Sequence, residues 1–322
     1  MILILDANNM AYRALYSFHL SFHGVDTSIT YGSLKMVTAL MRKFQPSSII
    51  ACFDGGTPPF RKELFPEYKA HRIHNSEERD WKDVYRQIDE LCYYAYPLHG
   101  IMTLRAKDVE ADDLIAQAAY LSKGECCIVT TDDDLLQCIE FNTIVYNPAR
   151  DQVYSVKNMH ETTGVGYGYW LLYKMLLGDN SDNISGVPFI GEKTAKRVIA
   201  AMYEQPLMDP YAYQDVCRIA DAHLNKRQKE SLTKLGQEGW NALFEAMDLL
   251  IDRTDSRRIV LQTEWMPAQE KEIRRYYLSR GFMSLLEERA DRLFCSLQKP
   301  QFRENERTPV VVKQEFEDGS QS

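Results

Sequence analysis

The sequence predicts an α/β fold with a smaller helical subdomain, and three observations support that prediction. Apolar runs at 2–5, 49–53 and 128–131 have the length and composition of buried strands. Amphipathic helical patterns separate these runs, as in parallel sheets covered on both faces. The chain of 322 residues also exceeds what a single core usually holds.

The composition is that of an ordinary soluble protein, with 45% hydrophobic and 26% charged residues. A net charge of −8 argues against a generic basic coat protein, although nucleic acid remains a possible substrate. The seven scattered cysteines form no C-x-x-C pair, which indicates reduced thiols in a core. The opening apolar run is too short for a signal peptide and no later run spans a membrane, so we expect a cytoplasmic protein without membrane contact.

An acidic residue follows each of the three predicted strands. Asp6 ends the first strand, Asp54 follows the second, and Asp132 follows the third. Ligands of parallel sheets bind at the carboxyl ends of the strands. The repetition therefore predicts that these three acids meet at one edge of the sheet.

A second acidic group opens the helix that begins at Glu110. The helix macrodipole favours Glu110, Asp112 and Asp113 in that first turn without any ligand. The dipole does not explain acids at the end of a buried strand, which repel one another unless a cation neutralises them. The two groups together predict a site for a hard divalent metal.

The segment from Phe60 to about Tyr96 is basic, aromatic and helix-prone. It contains Arg61, Tyr68 and Lys69 directly after the acid at position 54. One interpretation is a solvated helical insertion. The other is a cap that contacts substrate, because interleaved cations and aromatic rings suit single-stranded nucleic acid.

Further along, the helical pattern 169–177 ends at a second group of polar residues. Asp179 and Asp182 stand three apart, so a turn would aim both the same way. The glycine-bounded turn 186–195 then opens another helix, where backbone N–H groups and nearby cations suit a phosphate. From about 206 to 297 the pattern is helical, and residues 299–322 are predicted to be a flexible tail.

Five ordered motifs make the chain resemble the 5′-nuclease family, which includes the 5′-nuclease domain of bacterial DNA polymerase I, phage 5′-exonucleases and flap endonucleases. The motifs are LDANNMAYRA, CFDGGTPPFRKELFPEYKAHR, VEADDLIAQAA, IVTTDDDLLQ and LLGDNSDNISGVPFIGEKTAKRV. No polymerase domain follows the motifs, so we expect the chain to be most similar to the free-standing bacteriophage type. RGFMSLLEERADRLF resembles the family's closing helix more loosely.

The resemblance implies a mixed, mostly parallel sheet between helices, the PIN-like 5′-nuclease fold. It places a catalytic domain at 1–160 with a helical arch at about 56–98. It also implies a helical domain at 161–298, with a DNA-binding helix-hairpin-helix motif at about 184–200.

The resemblance also assigns residues to roles. The implied metal ligands are Asp6, Asp54, Glu110, Asp112, Asp113, Asp132, Asp134, Asp179 and Asp182. The implied catalytic set is Lys69, Arg72, Asp132 and Asp112. The implied DNA contacts are Arg13, Arg61, Tyr68, Lys69, Arg72, Gly191, Lys193, Thr194, Lys196 and Arg197, with Tyr68 expected to stack on an unpaired terminal base. Two Mg²⁺ ions, replaceable by Mn²⁺, and a K⁺ at the hairpin are the expected cofactors.

Three positions depart from the family pattern. Asp6 is followed by Ala7 where glycine is common, which we expect a turn without positive φ to tolerate. Asp133 stands where an acid is unusual, and we expect it to point away from the metals. Phe189 stands where the hairpin usually has its first glycine, which predicts an altered approach to the phosphate backbone.

The function expected from these features is a Mg²⁺-dependent 5′-3′ exonuclease and flap endonuclease. A monomer acting on 5′ flaps, nicks and RNA primers during replication fits best; single-strand-binding protein, polymerase or clamp partners cannot be read from the sequence. The alternatives are a structure-selective DNA-binding protein with weak or no nuclease activity and a Mg²⁺-dependent phosphatase. A phosphatase would need a second Asp at position 8, which is Asn8. RNA-cleaving relatives usually lack both the arch and the hairpin.

Overall fold

A six-stranded sheet forms the centre of the molecule. The computed structural model describes residues 1–70, 80–205, 209–249 and 265–303. The strand order is β5-β4-β1-β6-β7-β8, parallel throughout except for the antiparallel β7–β8 pair. The strands are β1 (Ile2–Asp6), β4 (Ser48–Phe53), β5 (Met102–Arg105), β6 (Cys126–Val129), β7 (Thr143–Asn147) and β8 (Gln152–Tyr154). The predicted mixed, mostly parallel sheet is confirmed.

Two small antiparallel pairs lie outside this sheet. They are β2 (Ser21–Phe22) with β3 (Val25–Asp26), and β9 (Gly178–Asp179) with β10 (Ile184–Ser185). The second pair closes the loop that carries Asp179 and Asp182.

Helices cover both faces of the sheet, as the unbroken apolar run of β1 predicts. Ile2 and Ile4 pack on the side of α6 (Ala111–Leu121), whereas Leu3 and Leu5 pack on the side of α1 (Ala7–Ser17) and α2 (Ser28–Phe44). Successive strand side chains point to opposite faces, so a strand buried on both sides must be apolar throughout.

The remaining helices fall into three groups along the chain. The segment predicted to form the arch has α3 (Pro59–Leu64), α4 (Trp81–Glu90), a π-helical turn (Leu91–Ala95) and α5 (Tyr96–Leu98). Helices after the sheet are α7 (Met159–Thr163), α8 (Trp170–Leu177), α9 (Glu192–Tyr203), α10 (Tyr213–His223) and α11 (Lys226–Met247). The last group is α12 (Glu270–Arg280), α13 (Met283–Glu287) and α14 (Ala290–Leu293), followed by a 3₁₀ turn at Phe294–Ser296. A second 3₁₀ turn, Asp133–Cys138, lies between β6 and β7.

The start of the predicted tail is held against the sheet domain. The Gln298 backbone N–H donates to the Ser47 carbonyl at 2.8 Å, and the Arg303 N–H donates to the Leu121 carbonyl at 2.7 Å. These bonds show that residues up to 303 belong to the folded unit, so the predicted boundary at 299 is too early. Residues 304–322 lie outside the described part of the chain.

Other sequence predictions can be compared with the fold directly. Five of the seven cysteines are buried and all seven are free thiols, which confirms the prediction of core thiols. Within the described ranges, no helix is both long and apolar enough to cross a membrane. Residues 71–79 of the predicted arch lie outside the described part of the chain.

A buried histidine ties the π-helical turn to α12. His99 Nδ1 lies 2.5 Å from the Ala95 carbonyl, and its Nε2 lies 2.8 Å from the Tyr277 hydroxyl. Burial lowers the pKa of His99 from 6.5 to about 4, because the charged imidazolium loses its hydration.

Acidification should therefore weaken the fold through His99. The unfolded chain takes up this proton below pH 6.5 while the folded chain resists it, so stability falls as pH falls from 6.5 toward 4. Between pH 7 and pH 5 the unfolding free energy should lose about 2 kcal/mol from this residue. Urea unfolding of the wild type and of His99→Gln at pH 7 and pH 5 measures this loss. The difference in unfolding free energy between the two proteins should be smaller at pH 5 than at pH 7. If that difference is the same at both pH values, the effect does not come from His99.

Candidate active site and metal centre

The three predicted strand-end acids lie on neighbouring strands. Strand β1 pairs in parallel with β4 on one side and β6 on the other, so Asp6, Asp54 and Asp132 all lie at one carboxyl edge. Asp6 Oδ1 caps α1 by accepting the Asn9 N–H at 3.0 Å, and its Oδ2 accepts from the Thr130 hydroxyl at 2.8 Å. The polar network thus fixes a buried carboxylate where β1 becomes α1.

Asp54 links this edge to the first turn of α6. Its Oδ1 accepts the Ala111 N–H at 2.8 Å, which places the neighbouring Asp112 beside the strand ends. The Asp54 N–H donates to Asn8 Oδ1 at 3.0 Å. The amide at position 8 therefore has a structural role beside the acids.

Burial is the main cause of the raised pKa values in this first group of acids, and mutual repulsion adds to it. Burial, followed by repulsion from Asp54 and Asp132, raises the pKa of Asp6 to about 7, although bonds from Asn9 and Thr130 oppose the change. Burial also raises the pKa of Asp112 well above its usual value, with repulsion from Asp6 and Asp132 adding to it. Carboxylates that resist ionisation in this way lack a compensating positive charge.

A lysine that the sequence analysis missed joins a second group of acids. Lys174 Nζ lies 2.5 Å from Asp134 Oδ1 and 2.6 Å from Asp179 Oδ2. Burial raises the pKa of Asp134 to about 8, with Asp132 and Asp179 adding to this and Lys174 opposing it. The available signal was a lone cation in the apolar helix α8, five residues before Asp179.

A third group lies at the base of the arch region around Glu110. Lys69 Nζ lies 2.5 Å from Glu110 Oε1 and 3.7 Å from Asp182 Oδ2. The Tyr68 hydroxyl lies 2.9 Å from Glu110 Oε2 and 3.0 Å from Asp182 Oδ2. The Lys69 backbone N–H also donates to the Asp182 carbonyl at 3.0 Å, so the loop carrying Asp182 is attached to the arch.

Arg61 is a buried structural residue, which corrects its predicted role as a DNA contact. It is 1% exposed, and its guanidinium donates to both Asp113 oxygens at 2.7 Å. It also donates to Glu110 Oε2 at 2.5 Å and to the Ala246 carbonyl at 3.0 Å. This arrangement occupies every guanidinium nitrogen, and it holds Asp113 as a partner of Arg61.

Tyr68 requires a similar correction. Its side chain is packed in the core at 4% exposure, with the hydroxyl directed at Glu110 and Asp182. A ring in this position cannot stack on a terminal base, so the predicted stacking is wrong for this arrangement. Arg72, the other predicted arch contact, lies outside the described residues. Arg13 is half-buried on α1, nearly two turns from Asp6.

Five of the nine predicted ligands line one narrow cleft. They are Glu110, Asp112, Asp134, Asp179 and Asp182, and the cleft is also lined by Arg61, Tyr68 and Lys174. Asp133 instead pairs with Arg150 at 3.2 Å, directed away from this group as expected.

The oxygen ligands of this site suit a hard cation, but they are not arranged around an ion as they stand. Carboxylate oxygens are the ligands that Mg²⁺ prefers, and the raised pKa values of Asp6 and Asp112 indicate negative charge that lacks compensation. In the described part of the chain, no three acidic, histidine or cysteine side chains approach closely enough to surround an ion as they stand. Lys69 and Lys174 already engage several of the oxygens, so side chains must turn for an ion to be bound.

The predicted hairpin residues lie at the start of α9. Gly191 is its N-cap residue, Lys193 and Arg197 are exposed, and Thr194 is half-buried. Lys196 pairs with Glu192 at 2.7 Å, and Arg197 donates to the His223 carbonyl at 2.7 Å. The glycine turn and the helix start are as predicted, and their contact with DNA stays a prediction.

Phe189 adopts an uncommon backbone conformation in this hairpin. Its φ of 68° lies in the left-handed region, which costs a residue with a side chain about 1–2 kcal/mol. The Arg227 guanidinium carbon lies 3.5 Å from the ring centroid. Such stacking at an exposed site contributes about 0.5–1 kcal/mol. The contact therefore does not offset the backbone cost by itself.

Known sequences resemble more than half of the chain. The family model described as 5′-3′ exonuclease, N-terminal resolvase-like domain, matches residues 1–164. The 5′-3′ exonuclease of Bacillus subtilis (strain 168) is 32% identical over 210 residues, covering 62% of this chain and 69% of that protein. DNA polymerase I of Mycobacterium tuberculosis (H37Rv) is 33% identical over 210 residues, but the match spans only 23% of its length.

Solved structures agree on the fold. The T5 D15 protein co-crystallised with metal ions has a TM-score of 0.62 at 20% identity, covering 77% of this chain and 89% of that one. The catalytic core of Rad2 with DNA substrate has a TM-score of 0.53 at 19% identity, covering 87% of each. With the matched family model and the Bacillus relative, these findings confirm the resemblance found in the motifs. The chain therefore belongs to the 5′-3′ exonuclease family of nucleases.

Proposed function

We propose that this nuclease is a structure-specific, Mg²⁺-dependent 5′-3′ exonuclease and flap endonuclease that removes RNA primers and 5′ flaps. The observation that carries the proposal is the single cleft lined by five carboxylates beside three acids at neighbouring strand ends. Hydrolysis of a phosphodiester needs stabilised charge on the attacking and leaving oxygens, and clustered carboxylates that hold divalent ions suit that need.

Two ions would be held by these two groups of acids once their side chains turn toward the ions. Asp6, Asp54, Glu110, Asp112 and Asp132 would hold the first, and Asp134, Asp179 and Asp182 the second. We leave Asp113 out of the ligand set because Arg61 binds both of its oxygens. Mg²⁺, or Mn²⁺ in its place, would supply a hydroxide nucleophile and stabilise the leaving oxygen.

The chain's own cations would position the substrate and balance its charge. Lys69 holds Glu110 and lies beside Asp182, at the entrance from the arch. When a substrate binds, the Lys69 ammonium group could exchange its contact with Glu110 for a contact with the scissile phosphate. Lys174 keeps Asp134 and Asp179 together, and so maintains the shape of the second acidic group.

The helices after the sheet would hold the duplex part of the substrate. We propose 1–160 as the catalytic domain and the helices after it as the duplex-binding domain. The exposed Lys193 and the turn at Gly191 lie at the start of α9, where a backbone phosphate, with a K⁺ ion as a candidate partner, would bind.

Asp112→Asn tests the cleavage chemistry. Losing one carboxylate of a metal site costs several kcal/mol of transition-state stabilisation, which corresponds to a cleavage rate lower by about a thousandfold. Binding of DNA should stay within a few-fold. The assay uses Mg²⁺ with end-labelled flap, nicked and RNA-primed duplexes and reads product lengths. Asp133→Asn is the matched control, because Asp133 pairs with Arg150 outside the cleft. Equal rates for wild type and Asp112→Asn would reject the assignment.

Divalent cations should stabilise the fold by relieving repulsion among the same acids. An ion at a hundredfold excess over its dissociation constant adds about 2.7 kcal/mol to the unfolding free energy. We expect Ca²⁺ or Mn²⁺ to raise the melting temperature of the wild type, measured by scanning calorimetry. Asp112→Asn should be more stable than the wild type without metal and respond less to it. If neither ion raises the melting temperature of the wild type, the result would argue against a metal centre.

Lys69→Ala tests the proposed contact with the scissile phosphate. Removing a charged donor that acts in the transition state should lower the single-turnover rate by about a hundredfold, with substrate affinity less affected. Lys69→Arg should restore part of the rate because it keeps the positive charge. Rapid-quench kinetics at saturating enzyme makes the measurement. A change below about threefold, under 1 kcal/mol, would remove Lys69 from catalysis.

A further inference from the structure

A stacked aromatic–cation pair lies at the tip of the turn before α9. The ring of Phe189 is 53% exposed, and the Arg227 guanidinium carbon lies 3.5 Å from its centroid. The two residues come from different elements, since Arg227 belongs to the first turn of α11. The contact therefore joins the hairpin tip to the helix that ends at the active-site cleft.

The backbone beneath the pair is held firmly. The Gln228 side-chain amide donates to the Phe189 carbonyl at 2.8 Å. Gln228 is itself fixed by a reciprocal capping box with Asn225, whose two hydrogen bonds are both 3.0 Å long. These bonds hold Phe189 in the left-handed conformation that its side chain disfavours.

Arg227 carries a positive charge on a surface that also has the acid Glu230 one turn along α11. Its side chain is exposed, and among the described residues no carboxylate lies within salt-bridge distance of it. Lys226 and Lys234 lie on the same helix, whereas Lys229 is paired with Asp221 at 2.7 Å. A polyanion is the ligand that suits such a surface.

We propose that Arg227 binds a backbone phosphate of duplex DNA and that Phe189 is a positioning residue, which holds the guanidinium for that contact. This inference rests on the proposed function, which makes duplex DNA the ligand. The guanidinium matches phosphate geometry through two parallel N–H donors, and stacking on the ring limits its freedom before DNA arrives. The affinity for DNA gained in this way would account for an aromatic residue at a position where the backbone is strained.

The test is fluorescence anisotropy of a labelled flap duplex with the full chain in Ca²⁺, over a range of salt concentrations. Arg227→Ala should weaken binding about tenfold, as expected for a lost charge-assisted bond. It should also lower the slope of log K against log salt by about 0.9, the value for one phosphate contact. Arg218→Ala is the matched control on α10, because Arg218 pairs with Asp215 at 3.2 Å. It should bind within twofold of the wild type.

Substitutions of Phe189 separate binding from folding. Phe189→Gly should weaken DNA binding about threefold through a less ordered arginine, while its melting temperature stays at or above that of the wild type. Phe189→Tyr keeps the ring and should bind as the wild type does. A merely structural phenylalanine would instead lower the melting temperature and leave affinity unchanged.

The outcomes distinguish this inference from the proposed function. If Arg227→Ala keeps wild-type affinity and salt slope while the wild type still binds and cuts flaps, the phosphate contact is wrong and the nuclease proposal stands. If Phe189→Gly binds as tightly as the wild type, the positioning role is wrong. If the wild type neither binds nor cuts flap DNA, the proposed function itself fails.

Discussion

Repulsion among carboxylates at the carboxyl edge of the sheet is the constraint on which the rest of the site depends. Strands β4, β1 and β6 run in parallel, so the acids that follow them necessarily meet. Helix α6 then adds Asp112 to the same edge. Burial and mutual repulsion leave Asp6 and Asp112 reluctant to ionise. Such an arrangement persists in a folded protein when cations share the space.

Part of that positive charge belongs to the chain itself. Arg61 holds Glu110 and Asp113, Lys174 holds Asp134 and Asp179, and Lys69 lies between Glu110 and Asp182. These three residues neutralise the outer acids, whereas no described lysine or arginine forms an ion pair with the strand-end acids. The chain's own cations therefore neutralise the acids around Glu110 and Asp179, and the divalent ions that we propose would neutralise those at the sheet edge.

Helix α11 connects this site to the basic surface at the hairpin. Near its C-terminal end, the Ala246 carbonyl accepts from Arg61 and the Met247 carbonyl accepts from Gln137. Its first turn carries Arg227 and holds the Phe189 carbonyl through Gln228. The helix bends at Gly236, whose φ of 66° is not helical. One bent helix thus spans the distance between the proposed duplex contact and the cleft.

The sequence by itself determined the three strands β1, β4 and β6, the acids at their ends and the membership of the family, but not the edge strand β5. Those features are local: an unbroken apolar run, an acid placed after it and a motif of fixed spacing can each be read along the chain. The tertiary structure decided which charges meet. Arg61 and Tyr68 looked like substrate contacts in a basic, aromatic segment, but packing against Glu110 buries both. The pairings of Lys174 with Asp134, and of Arg227 with Phe189, join residues 40 and 38 positions apart, and no local pattern encodes a contact that depends on how distant elements pack.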